Sequence, residues 1–105
     1  MRLTLSEQAD IADIAKAVLP AGSRVSLFGS RLDDARRGGD VDLWIELSGQ
    51  PTATEMVRLR GRLTAALYKR WGERRIDMLM SLRGQPDARP VVQAARRNSI
   101  ELARA

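Results

Sequence analysis

The sequence contains no cysteine and no histidine, and these two absences remove several kinds of chemistry. Without cysteine there is no disulfide, no thiolate metal site and no thiol nucleophile. Without histidine there is no Ser-His-Asp triad, and both the commonest general base and the usual zinc ligand are missing. Acid–base or metal chemistry must therefore use carboxylates, which suit hard cations such as Mg2+ or Mn2+.

Aromatic residues and long hydrophobic runs are also scarce. Aromatics make up 4% of the chain, so aliphatic side chains and alanines must fill the interior. No apolar run is long enough to span a membrane. The first residues include Glu7, Asp10 and Asp13, which a signal peptide would not carry. We therefore expect a cytoplasmic protein without a membrane partner.

Most of the positive charge comes from arginine. The formal net charge is +5, with sixteen arginines and two lysines. A basic balance favours anionic partners such as nucleotides, nucleic acids or acidic protein surfaces, without choosing among them. At 105 residues, the chain is predicted to form a single domain spanning residues 1–105.

Apolar periodicity predicts alternating helices and strands. Ser6 is the expected N-cap of the first helix, and Thr52 or Thr54 caps the longest one. Residues 98–105 are expected to be a tail that docks onto the domain through Ile100 and Leu102. The predicted helices are 6–18, 52–72 and a short stretch within 88–97, and the predicted strands are 24–28, 40–47 and 74–80.

The stretch 24–47 organises the rest of the chain. Strand residues alternate between two faces. The apolar set Val41, Leu43, Ile45 and Leu47 can therefore be buried against helices, while Asp40, Asp42, Trp44 and Glu46 share the other face. Neighbouring carboxylates repel each other, and a bound cation is the simplest compensation.

Gly29 and Ser30 stand between the first strand and this acidic strand. A glycine there permits close backbone approach, and free N–H groups at the start of a following helix would bind phosphate. The same pair also fits a tight turn with a serine cap, and taken alone the turn is the better interpretation. Arg36 and Arg37 are equally compatible with phosphate contacts and with ordinary solvated charges.

Asp77 is a third unusual carboxylate. On the predicted strand 74–80 it points away from Ile76, Met78 and Met80. Alone it is compatible with an edge-strand charge that discourages aggregation. Three aspartates around one or two divalent cations are, however, the requirement of phosphoryl and nucleotidyl transfer, in which positioning and charge neutralisation do most of the catalysis.

The three parts together resemble the minimal nucleotidyltransferases of the DNA polymerase β superfamily. The pattern is Phe28-Gly29-Ser30, then Asp40-Val41-Asp42-Leu43 after nine intervening residues, then Asp77 on a later strand. The resemblance covers roughly residues 22–82. It implies an α/β (α+β) fold with a small mixed sheet, helices packed on one face and the metal site on the open face, as in the polymerase β palm.

The resemblance also implies roles for individual residues. Asp40, Asp42 and Asp77 would be the catalytic residues and would bind two Mg2+ or Mn2+ ions. Gly29, Ser30 and, less firmly, Arg31 would bind the phosphates of ATP or another NTP. For Trp44 two interpretations stay open, stacking on a base or packing under a helix, and packing is favoured. Glu46 is expected to be a solvated charge at the strand end.

The function implied by the resemblance is transfer of a nucleoside monophosphate, AMP from ATP, onto an acceptor hydroxyl. Minimal family members commonly pair with a helical protein of the HEPN class as antitoxin and toxin, and a homo-oligomer is another way to supply a helical partner. One alternative is an antitoxin that neutralises its partner by contact without catalysis. A nucleic-acid-binding module is a third, which the scarcity of aromatics and the lack of a reader motif disfavour.

Overall fold

The computed structural model describes residues 3–28 and 41–105. In these residues three helices and four strands follow one another along the chain, and the four strands form one mixed sheet. Among the described helices, none is long and apolar enough to cross a membrane. The elements are α1 (Leu5–Val18), β1 (Arg24–Phe28), β2 (Val41–Leu47), α2 (Ala53–Trp71), β3 (Ile76–Leu82), α3 (Pro90–Arg97) and β4 (Ser99–Arg104).

The order of strands across the sheet is β3-β2-β1-β4. β1 pairs with β2 and with β4 in antiparallel orientation, and β2 pairs with β3 in parallel orientation. The parallel pair requires a long crossover, and α2 supplies it. The sheet is therefore mixed, as the sequence predicted, and β3 and β4 form its two edges.

The alternation predicted for β2 places its apolar residues in the main core. That core lies between one face of the sheet and the helices α1 and α2. Leu27, on β1, and Leu67, on α2, meet there with 0% and 2% of their surfaces exposed. The β2 residues in this core cluster are Val41, Leu43, Ile45 and Leu47.

The third helix lies on the opposite face of the sheet. Val92 and Ala95 of α3 form a second, smaller cluster with Trp44, and Phe28 and Leu79 pack against it. These sheet residues have the opposite parity to the main-core residues of their strands, which places α3 on the face that carries Asp42. α1 and α2 thus share one face as expected, and α3 additionally covers part of the other.

Both long helices begin with a capping box. In α1 the cap is Thr4 rather than the predicted Ser6, because Glu7 lies three residues after Thr4 and completes the reciprocal pair of hydrogen bonds. Glu7 also forms an ion pair with Arg74. Partial burial raises the pKa of Glu7, but the hydrogen bond from the Thr4 backbone and the Arg74 guanidinium outweigh it, and the net pKa is lowered.

The second capping box joins Thr52 and Glu55 at the start of α2, which decides between the two threonines that the sequence offered. The helix ends at Gly72, whose φ of 75° lies in the left-handed region that favours glycine. Gly61, in the middle of the same helix, has no such requirement, since a Cβ built there would meet nothing within 4 Å.

The last strand was not predicted. Residues 99–104 were expected to be a tail, but they pair with β1 along its free edge, for example Ile100 with Leu27. Only Ala103 is fully buried in this strand, so the alternation that would have revealed it is weak. The third strand was predicted at residues 74–80. It runs from Ile76 to Leu82, because it pairs with the whole of β2, from Val41 opposite Ile76 to Leu47 opposite Leu82.

Candidate functional site

Two of the three predicted aspartates lie side by side in the sheet. Asp42 of β2 and Asp77 of β3 are direct partners in the parallel register. Their strand neighbours, among them Leu43 and Met78, belong to the main core, so both carboxylates project from the opposite face. Asp77 is exposed and Asp42 is half-buried. The sequence predicted the face of each aspartate, and the structure adds that they are adjacent.

The other predicted site residues lie outside the described part of the chain. They are Gly29, Ser30, Arg31 and Asp40, together with Arg36 and Arg37. Their roles therefore stay predictions. The sequence joins them directly to described elements, since Gly29 follows the last residue of β1 and Asp40 precedes the first residue of β2.

Phe28 lies next to the aspartate pair on the same face. The antiparallel register of β1 and β2 ends with Leu27 opposite Leu43, and one further step places Phe28 opposite Asp42. On its other side Phe28 pairs with Ser99 of β4. A row across the sheet thus reads Asp77, Asp42, Phe28 and Ser99, and we call it the acidic row.

Trp44 lies one row further along and is a packing residue. It is 4% exposed, lies under Val92 and Ala95 of α3, and donates an indole N–H···O bond of 2.9 Å to the Ser81 hydroxyl. A buried indole that has found a hydrogen-bond partner is fixed in position. The packing interpretation is therefore confirmed.

Glu46 corrects a prediction. It was expected to be solvated, but it is 8% exposed and forms an ion pair with Arg24, its partner in the antiparallel register, with Nε and Oε1 3.5 Å apart. Arg24 also approaches Glu101 of β4 at 3.5 Å. The cause is tertiary: α3 and β4 enclose this end of the face, so a carboxylate there requires a cation.

The donor set fits a hard divalent cation. Within residues 3–28 and 41–105 there is no group of three or more potential metal-binding side chains, and Asp42 and Asp77 form a pair. Neighbouring strands lie about 4.8 Å apart, so two carboxylates on one face can share an ion. The third ligand that the sequence predicts, Asp40, precedes β2 by one residue and lies outside the described residues.

Comparison with known proteins identifies the fold. No protein-family model matches the chain. No curated protein matches it either. Its fold is similar to that of a chain in a solved structure described as "Crystal structure of the toxin-antitoxin with AMP-PNP", with a TM-score of 0.61 and 19% sequence identity, covering 90% of this chain and 71% of that chain. The mixed sheet of four strands with three helices agrees with the α+β fold class expected from the sequence.

Proposed function

We propose that the protein is a metal-dependent nucleotidyltransferase that transfers AMP from ATP to a hydroxyl group of a partner protein. The observation that carries this proposal is the pairing of Asp42 with Asp77 on one face of the sheet. Two adjacent carboxylates on one face of a sheet repel each other. A divalent cation would neutralise both charges and bring an anionic substrate to the same place.

In this proposal the described residues bind and orient the reactants. Asp42 and Asp77 would hold Mg2+ or Mn2+, and the bound ion would supply positive charge to stabilise the phosphoryl oxygens and the leaving group. The acceptor oxygen forms a bond to the α-phosphorus of ATP, the bond from that phosphorus to the bridging β-phosphate oxygen breaks, and pyrophosphate leaves. The proton of the acceptor hydroxyl passes to the Asp77 carboxylate or to water.

The proposed partner is a toxin, with this chain as its antitoxin. The solved structure of similar fold is described as a toxin–antitoxin with AMP-PNP, which is an analogue of ATP. That description supports both the choice of ATP and the presence of a separate protein partner. The more specific proposal, a helical partner of the HEPN class that carries the acceptor hydroxyl, rests on the sequence motifs.

The test is calorimetric titration of the protein with ATP in the presence of Mg2+ and in the presence of a chelator. We expect binding that requires Mg2+ and that falls at least about tenfold in Asp42→Asn and in Asp77→Asn, since each removes a metal-binding charge. The matched control is Asp13→Asn, an exposed aspartate on α1, which packs against the other face of the sheet.

Two results would contradict the proposal. Binding that is unchanged in both variants would show that the carboxylate pair is not the metal site. Transfer from ATP labelled at the α-phosphate is then measured with the partner present. The second contradicting result has two parts: neither the wild type nor the variants transfer the label, and the variants bind and neutralise the partner as well as the wild type does. The protein would then act by contact and not by catalysis.

A further inference from the structure

A cavity lies beside the acidic row, on the face of the sheet that carries Asp42. Its volume is about 430 Å3, within the range of cavities that bind small molecules. It opens between the end of β1 and one side of α3, and we call it the α3 cavity. Among the residues that the structure describes, it is lined by Phe28, Val91, Ala94, Arg97 and Asn98.

The floor and one wall of the α3 cavity are apolar and fixed. Phe28 packs against the cluster around Trp44, so its ring is held in place. Val92 is fully buried beneath α3, and this orientation of the helix turns Val91 and Ala94 toward the cavity. Val91 remains 45% exposed there, an apolar surface for which the described part of the chain provides no cover.

The rim of the cavity carries polar groups without partners. Among the residues that the structure describes, neither the Arg97 guanidinium nor the Asn98 side-chain amide is engaged in a hydrogen bond or ion pair. The neighbouring Arg96 differs, because it points to the other side of α3 and donates to the Gln85 carbonyl. The free groups offer several donors and one acceptor beside an apolar surface.

The position of the α3 cavity connects it with the proposed metal site. Phe28 occupies the strand next to Asp42 and, by register, the place directly opposite it. With strands about 4.8 Å apart, the backbone at Phe28 lies about 5 Å from that of Asp42 and about 10 Å from that of Asp77. A nucleotide whose phosphates are held at the carboxylate pair has its nucleoside within reach of the cavity.

A second cavity on the same face is less suited to this role. It has a volume of about 360 Å3 and lies on the far side of α3, lined in part by Arg24, Glu46 and Glu101. Those charges already pair with one another. Among the described residues that line this cavity only Ser99 belongs to the acidic row, and Ser99 lies two strands away from Asp42. The α3 cavity combines an apolar surface, free polar groups and proximity to Asp42.

We infer that the α3 cavity binds the base and ribose of the nucleoside triphosphate. The inference rests on the proposed nucleotidyltransferase function and specifies where the nucleoside part of the substrate is recognised. The base lies against Phe28, Val91 and Ala94, which replace water on its apolar faces. Arg97 and Asn98 contact polar atoms of the base edge or of the ribose hydroxyls.

The experiment compares two probes that share a triphosphate: ATP, and inorganic tripolyphosphate, which has no nucleoside. Both are titrated with Mg2+ into the wild type and into Ala94→Trp, which fills the cavity. Contact with a base contributes about tenfold or more to affinity. We therefore expect Ala94→Trp to weaken ATP binding at least tenfold and to leave tripolyphosphate binding unchanged. Ala65→Trp is the control, because Ala65 is an exposed alanine on α2, on the other side of the sheet.

A second pair of variants tests the rim without filling the cavity. Arg97→Ala is expected to weaken ATP binding about threefold to tenfold through the loss of a charged hydrogen bond. Arg96→Ala makes the same change on the other side of the helix and is expected to leave ATP binding unchanged. Equal affinity of the wild type for ATP and tripolyphosphate, with no effect of Ala94→Trp, would overturn the inference alone. Failure of the wild type to bind either probe would overturn the proposed function as well.

Discussion

Replacing Asp77 with asparagine should stabilise the metal-free protein. In a parallel pair the two carboxylates are about 5 Å apart, and the Coulomb repulsion is about 0.8 kcal/mol in water and about 3 kcal/mol at an effective dielectric constant of 20. Asp77 is exposed, so solvent screening brings the value toward the lower figure. We expect the free energy of unfolding to rise by about 0.5–1 kcal/mol.

Divalent cations should reverse this order. An ion bound to the native carboxylate pair stabilises the wild type by about 1.4 kcal/mol when its concentration is ten times its dissociation constant. Asp77→Asn lacks one of the two charged ligands, so its gain should be much smaller. For a domain of this size, 1 kcal/mol corresponds to a change of about 4–8 °C in Tm.

The assay is thermal unfolding of the wild type and Asp77→Asn in chelator and in saturating Mg2+, with Asp13→Asn as the matched control. Asp13 is an exposed aspartate on α1 and lies on the other side of the sheet. A lower Tm of Asp77→Asn in chelator would refute the assumed repulsion. An equal rise of wild type and variant in Mg2+ would refute metal binding by the pair.

Three further predictions concern stability, each measured by urea unfolding. Glu7→Gln should cost up to about 1 kcal/mol at pH 7. The pKa of Glu7 is lowered in the folded state, so the stability difference from the wild type is fully present above about pH 4.5. It should vanish as the pH falls through the lowered pKa. A difference that persists after Glu7 is protonated would contradict this prediction. Trp44→Phe should cost about 1–3 kcal/mol by breaking a buried hydrogen bond, and adding Ser81→Ala should then cost little more. Gly61→Ala should stabilise the protein by about 0.5–1 kcal/mol, whereas Gly72→Ala, at a φ of 75°, should destabilise it; changes of the same sign at both positions would contradict the assignment.

The elements that the sequence predicted well are those whose evidence is local. The alternation in residues 41–47 predicted which side chains of β2 enter the main core, because successive residues of a strand point to opposite faces. The start of α2 was predicted at Thr52 or Thr54, and the capping box that selects Thr52 is also local, because Glu55 lies only three positions after it. The same local rule would have identified Thr4, two residues before the predicted cap Ser6, because Glu7 lies three positions after Thr4.

The elements that the sequence did not predict depend on partners far along the chain. β4 exists because β1 offers it a free edge, and its own residues show little alternation. Glu46 is buried because α3 and β4 enclose it beside Arg24. Arg24 lies 22 positions earlier in the chain and is its direct partner in the antiparallel register. Neither the free edge of β1 nor the burial of Glu46 can be read from the sequence pattern of β4 or β2 alone.

For the candidate site, too, some features follow from local sequence and others only from the tertiary structure. The sequence by itself determined which residue types are present for chemistry, carboxylates without histidine or cysteine, and on which face Asp42 and Asp77 project. Only the tertiary structure decided that these two aspartates are neighbours and that a cavity beside α3 adjoins them. The physical reason is that side-chain direction follows from the backbone of one strand, whereas the distance between two side chains follows from the pairing of strands, which the crossover through α2 and the packing of the core determine.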